Sequence, residues 1–204
     1  MTGEGSTERF RLFVAIPVPD VIREEMIRVQ QALEPLAPHP VVRWTKPEQF
    51  HLTLRFLGDV SSDRITALQE SLRAVCSGTR GLHLHARGIG FFPGARFPRV
   101  VWVGIDNHEK RLGELQERIE RAVRPFTMEP GGEHFAGHVT LGRFKRSNIL
   151  KINDLRIKME AMKDCLFGKW TAWTIEIIRS ELSPAGTRHT VLAALPLGRG
   201  IELP

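Results

Sequence analysis

His51-Leu52-Thr53-Leu54 and, at an offset of 87, His138-Val139-Thr140-Leu141 read almost alike, one in each half of a chain of 204 residues. Each alternates apolar with polar, so in a β-strand His and Thr share one face while Leu or Val meets a core. An imidazole exchanges protons near neutral pH, and a hydroxyl donates to a phosphoryl oxygen without adding charge. A histidine and a threonine presented twice therefore suit a phosphate site. The offset predicts a duplicated lobe with a cleft between the copies.

Working outward, Arg11 to Val18 reads as a strand with Leu12, Val14 and Ile16 on one face and Phe13 and Ala15 on the other. Asp20 then opens an amphipathic helix striped by Ile22, Met26, Val29 and Leu33. Strands are expected at Val41 to Trp44 and at Phe50 to Leu57, the latter closed by Gly58-Asp59. Simple alternation puts Arg55 on the face of His51 and Thr53, and Leu52, Leu54 and Phe56 inward. Ser61 or Ser62 caps a helix through Ile65, Leu68, Leu72 and Val75. Leu82 to Arg87 and Val100 to Ile105 are strands flanking a loop from Gly88 to Pro98. Leu112, Leu115, Ile119 and Val123 mark a third helix, and Ile152, Leu155, Met159 and Met162 a fourth. Thr171 to Leu182 and His189 to Leu195 are the last two strands. Strands and helices mix without strict parallel alternation, so the fold class is α+β.

Composition bounds the function. The hydrophobic content of 42% is enough for a sizeable core, as one domain or two closely joined lobes. No run approaches the roughly 18 apolar residues of a membrane span. Met1 to Arg9 lacks the features of a secretory signal, and a soluble cytoplasmic protein is expected. Cys76 and Cys165 have neither metal spacing nor a disulfide framework and read as free thiols. The net charge of +6 favours an anionic partner. Arg143 to Asp164 is notably basic, which fits a solvated helix face or a nucleic-acid track.

Other histidines carry less. His83 and His85 share a strand face at i and i+2, but no Cys, Asp or Glu lies close by in sequence to complete a metal set. His134 sits four before His138 in a stretch whose glycines indicate a loop. Phosphate loops of the Walker type and Gly-x-Ser-x-Gly nucleophiles are both missing, and Gly88-Ile89-Gly90 lacks the rest of a dinucleotide fingerprint.

The two His-x-Thr-x motifs, with Arg11-Leu12-Phe13-Val14-Ala15-Ile16, Trp44-Thr45, Gly88-Ile89-Gly90-Phe91-Phe92-Pro93, Ser180-Glu181-Leu182 and Gly186, resemble the two-histidine (2H) phosphoesterases. The resemblance is to the LigT-like RNA 2′,3′-cyclic phosphodiesterases, also described as 2′-5′ RNA ligases, and it covers nearly the whole chain. It implies a bilobal α+β fold: two pseudo-symmetric lobes with antiparallel sheets around a central cleft, residues 10–204 forming one domain behind a flexible 1–9. It also implies hydrolysis of a 2′,3′-cyclic phosphate to a 2′-phosphate without metal or cofactor. His51 would be the proton donor to the leaving 3′-oxygen and His138 the proton acceptor from water. Thr53 and Thr140 would hold phosphoryl oxygens, and the reverse reaction would join RNA ends through a 2′-5′ bond. Phe13, Arg55 and Arg143 are further substrate-binding candidates, Phe13 by stacking on a base and the arginines by attracting a polyanion. The partner would be an RNA end or a small cyclic nucleotide met by a monomer. Two alternatives stay open: a non-catalytic nucleotide-binding module, and a 2H enzyme for another cyclic or 2′-5′ nucleotide. One departure stands out, because the family often has a tyrosine where this chain, with no tyrosine at all, has His189.

Overall fold

The computed structural model describes residues 8–37, 41–107, 109–132, 134–145, 152–183 and 186–198. In chain order the elements are β1 (Arg9–Pro17), α1 (Asp20–Leu33), β2 (Val42–Trp44), β3 (His51–Ser61), α2 (Ile65–Ser77), β4 (Leu82–Phe92), β5 (Val100–Asp106), α3 (Arg111–Val123), β6 (His138–Phe144), α4 (Asn153–Glu160), β7 (Leu166–Ala172), β8 (Thr174–Ser183) and β9 (Gly186–Pro196). β1 starts just inside the expected tail, of which residues 1–7 lie outside the described residues.

The strands follow the order β7-β4-β5-β6-β3-β1-β8-β9, with β2 on β6, and every pairing between these strands is antiparallel. That order sets four strands on each side of the β6–β3 junction. Each half holds one motif strand at the junction, next to its partner β5 or β1. The junction is a single bridge, Leu52 to Val139. The halves interlock: β2, from the first, lies along β6, and the loop at 129–130, from the second, supplies carbonyls to Arg55 on β3.

Alternation divides β1 as its sequence dictates. Leu12, Val14 and Ile16 join one large apolar cluster with the stripes of all four helices, Ile22, Leu68, Leu115 and Leu155 among them. Each such side chain withdrawn from water contributes about 1.5–3 kcal/mol. Phe13 and Ala15 point the other way and form a small buried cluster with Ile178. One face of the sheet is thus covered by helices, and the opposite face carries the motif histidines and threonines.

Several boundaries differ from expectation. Gly58 does not end β3, which runs on to Ser61; its φ of +65° follows a bulge at Leu57 instead. α2 begins after a short 3₁₀ turn, and neither Ser61 nor Ser62 caps it through a side-chain bond. Gly88 and Gly90 lie within β4, where distant neighbours leave no room for a side chain: a β-carbon at Gly88 would meet the Lys163 carbonyl, and one at Gly90 would overlap the indole of Trp102. The stretch Thr171 to Leu182 is two strands, β7 and β8, that part at Trp173 with no Gly or Pro to mark the break.

Candidate active site

The Leu52–Val139 bridge joins the middle residues of the two motifs. Both side chains are fully buried on the helix side, so His51, Thr53, His138 and Thr140 project from the opposite face. Antiparallel pairing about that bridge sets His51 beside Thr140 and Thr53 beside His138. The result is a square with imidazoles on one diagonal and hydroxyls on the other. The surroundings repeat at the same offset of 87: Pro17 pairs with His51 and Gly104 with His138, Ala15 with Thr53 and Trp102 with Thr140.

Each imidazole is held from behind by the carbonyl two residues earlier. His51 Nδ1 is 2.7 Å from Gln49 O and His138 Nδ1 is 2.8 Å from Ala136 O. A carbonyl only accepts, so each Nδ1 carries the proton and each Nε2 is left to exchange one. The Gln49 side-chain amide donates in turn to Thr187 O on β9, tying that strand to the His51 turn.

Aromatic rings line both histidines. Phe13 and His189 lie 4.8 and 5.4 Å from the His51 ring, and Phe92 lies 4.9 Å from the His138 ring. Burial lowers the pKa of His51 to about 4, helped by the nearby charges of His189, Arg143 and His138 against the opposing pull of the Gln49 carbonyl. Burial, with Arg143, also lowers His138, and burial lowers His189. Both motif histidines are therefore neutral bases near pH 7. An anion placed between them opposes that lowering by charge attraction and favours the protonated forms.

β-Bulges at equivalent positions decide what flanks the square. The pairing of β1 with β3 skips Leu54, and that of β5 with β6 skips Leu141. Simple alternation fails beyond both points. Arg55 turns to the helix side, where it is 7% exposed, 2.6 Å from Glu120 Oε2 and bonded to the carbonyls of Pro130 and Glu129. The structure thus removes Arg55 from the histidine face and uses it as a clamp on α3 and the 129–130 loop. In the second copy the same shift puts Gly142 on the helix side and turns Arg143, the counterpart of Phe56, toward the histidines, both of which feel its charge. Arg43 is its cross-strand neighbour. Phe13 has the expected face but is 3% exposed, a wall behind His51 and not an open stacking platform. Phe56, turned outward by the bulge and 54% exposed, holds the accessible position 5.8 Å from Phe13.

Sequence reasoning missed Phe56, Phe92 and Trp102 as cleft residues. The 87-residue offset was a usable signal for two of them, since it equates Phe56 with Arg143 and Trp102 with Ala15. Phe92 was hidden by reading Gly88 and Gly90 as a loop. His83 bonds Thr171 and His85 lies 3.5 Å from Asp106; His134 is exposed in its loop. Among the described residues no group of three His, Cys, Asp or Glu is placed to hold a metal ion. Burial pushes the Cys76 thiol up to about 11, which makes it unreactive, and Cys165 is exposed.

A pair of free Nε2 atoms with two hydroxyls on a two-fold axis defines an acid–base site for a phosphoryl group. The sequence model of the family described as LigT like Phosphoesterase matches residues 16–102. The RNA 2′,3′-cyclic phosphodiesterase of Archaeoglobus fulgidus is 33% identical over 179 residues, 86% of this chain and 94% of its own. That of Methanocaldococcus jannaschii is 30% identical over 183 residues, 89% and 98% of the respective chains. Among solved structures, TT0787 of Thermus thermophilus superposes with a TM-score of 0.76 at 26% identity, covering 93% of this chain and 98% of that one. E. coli LigT complexed with 3′-AMP gives 0.73 at 26% identity, covering 93% and 99%. The chain belongs to the LigT-like phosphoesterase family.

Proposed function

We propose that this protein is an RNA 2′,3′-cyclic phosphodiesterase that opens the cyclic phosphate to a 2′-phosphate by acid–base catalysis between its two motif histidines. The observation that carries this reading is the square set by the Leu52–Val139 bridge. In-line displacement at phosphorus needs a base at the attacking oxygen and an acid at the opposite, leaving oxygen. Imidazoles on one diagonal supply the pair, and hydroxyls on the other diagonal bracket the non-bridging oxygens.

In the forward direction His138 Nε2 takes a proton from water as its oxygen bonds to phosphorus. The bond from phosphorus to the 3′-oxygen breaks, and His51 gives that oxygen its proton. Substrate binding is what arms His51, because attraction to the cyclic phosphate anion offsets the burial and the neighbouring positive charges that hold its pKa down. With a ribose 5′-hydroxyl in place of water in reverse of cleavage, the same groups would form a 2′-5′ bond. Each acid or base contributes about 10² to 10⁴ in rate, roughly 3 to 5.5 kcal/mol. Strain in the five-membered ring supplies part of the remainder.

Arg143 attracts the polyanionic substrate from the cleft edge, and Phe13 keeps His51 in place from behind. The two lobes act as one domain, since each completes the other's half of the site. We place the enzyme in the cytoplasm as a monomer, where RNA ends and a reducing milieu for Cys76 and Cys165 are found; no described helix is long and apolar enough to cross a membrane. Purified protein assayed in EDTA on nucleoside 2′,3′-cyclic phosphates should release the 2′-phosphate. Release of the 3′-phosphate, or no turnover at all, would overturn the reading.

A further inference from the structure

Glu176 is an acid on the face that the mechanism reserves for an anion. Its neighbours on β8, Ile175 and Ile177, are fully buried on the helix side, so Glu176 projects from the histidine face. The register gives its row across the sheet: Thr53 on β3, Ala15 on β1, Glu176 on β8 and Ala194 on β9. The side chains flanking it in this row are short: Ala15, fully buried, stands between Thr53 and Glu176, and Ala194 beyond is exposed, so no large side chain of the row screens the carboxylate. Two strand spacings, about 10 Å of backbone, separate Thr53 from Glu176. That is comparable with the reach of a nucleotide from its ribose phosphate to the far edge of its base.

Glu176 has no hydrogen-bond or ion-pair partner among the described residues, and partial burial alone raises its pKa. A half-buried carboxylate repels phosphate and loses solvation, a cost relieved only when a ligand brings N–H or O–H donors to it. Of the four bases, guanine presents two adjacent N–H donors on its Watson–Crick edge, matching the two carboxylate oxygens. Uracil presents one imide N–H between two carbonyls that a carboxylate repels. Adenine and cytosine each set one amino group beside an acceptor nitrogen.

We propose that Glu176 is a specificity-determining residue that selects guanosine at the 2′,3′-cyclic phosphate end by accepting from N1–H and the 2-amino group. The inference rests on the phosphodiesterase reading above. The test compares wild type and Glu176→Gln on the four nucleoside 2′,3′-cyclic phosphates at pH 8. Wild type should prefer guanosine to uridine by about tenfold or more in kcat/KM. The nearly isosteric glutamine replaces one acceptor by a donor and should abolish that preference mainly through KM for guanosine, with uridine unchanged or improved. An equal loss on all four bases would overturn the proposal in favour of a structural role. Wild type that hydrolyses all four equally overturns it without recourse to the variant, and it leaves the parent reading intact. Absence of turnover on every base overturns the parent reading instead.

Discussion

Gly90 lies beneath the indole of Trp102: the two residues are register partners, and a β-carbon at position 90 would overlap Cζ2 of the ring. Trp102 is in turn the cross-strand partner of Thr140. Gly90→Ala should displace the indole, lowering stability by about 1–3 kcal/mol and reducing kcat/KM. Adding Trp102→Leu should restore the melting temperature. A Gly90→Ala protein as stable as wild type would show that the ring yields freely.

The two motif histidines act as a unit. His51→Ala and His138→Ala should each lower turnover of a 2′,3′-cyclic phosphate by about 10² or more, and the double variant should be little worse than either single one. Multiplicative losses, or wild-type activity that vanishes in chelator, would contradict a metal-independent pair working in one step.

Stability should fall on acidification through a defined window. With the His51 pKa lowered from 6.5 to about 4, the unfolded chain binds more protons than the folded one between those values. Folding stability is therefore full above pH 6.5, declines as pH drops, and the decline due to this group levels off below about 4. Melting curves of wild type and His51→Ala should diverge in slope across that window. Inorganic phosphate should stabilise wild type more than the variant at pH 6.

The two arginines after the motifs should separate cleanly. Arg55→Met strands Glu120, which is only 23% exposed, and frees two loop carbonyls; a loss of about 2–4 kcal/mol in stability with KM little changed is expected. Arg143→Met should raise KM, weaken the salt dependence of oligonucleotide binding and move the acidic limb of the pH–rate profile upward, because its charge lowers both histidines. Similar effects from both variants would be inconsistent with the opposite faces they occupy.

The repeated His-x-Thr motif was legible because period-two alternation and a fixed offset survive in the letters. The apolar stripe Leu12, Val14 and Ile16 and all four helix stripes reached the core for the same reason. What alternation cannot carry is a bulge, which inserts one residue and inverts every face beyond it. Leu54 and Leu141 look like any strand leucine, so Arg55 was placed in the cleft and Phe56 out of it. Glycine misled in a related way. Gly88 and Gly90 signal a turn when read locally, yet their smallness answers to partners far along the chain, the Lys163 carbonyl and Trp102. Trp173 shows the converse, a strand break with no residue that announces one.

The strand order about the β6–β3 junction has a temporal side. β1 pairs with β3 on one edge, but its other edge waits for β8, some 160 positions later in the chain, with Leu12 opposite Arg179 and Val14 opposite Ile177. The half holding β4, β5, β6 and β7 is encoded without interruption between these segments. During vectorial synthesis that half can gather its strands while the half around His51 still lacks β8 and β9. The Thr187 carbonyl that anchors Gln49 and the His189 ring that flanks His51 arrive only with β9. A ribosome-bound chain stalled before β9 would carry both motif histidines and still lack the Thr187 carbonyl and the His189 ring beside His51, so competence at that histidine waits for β9 to emerge.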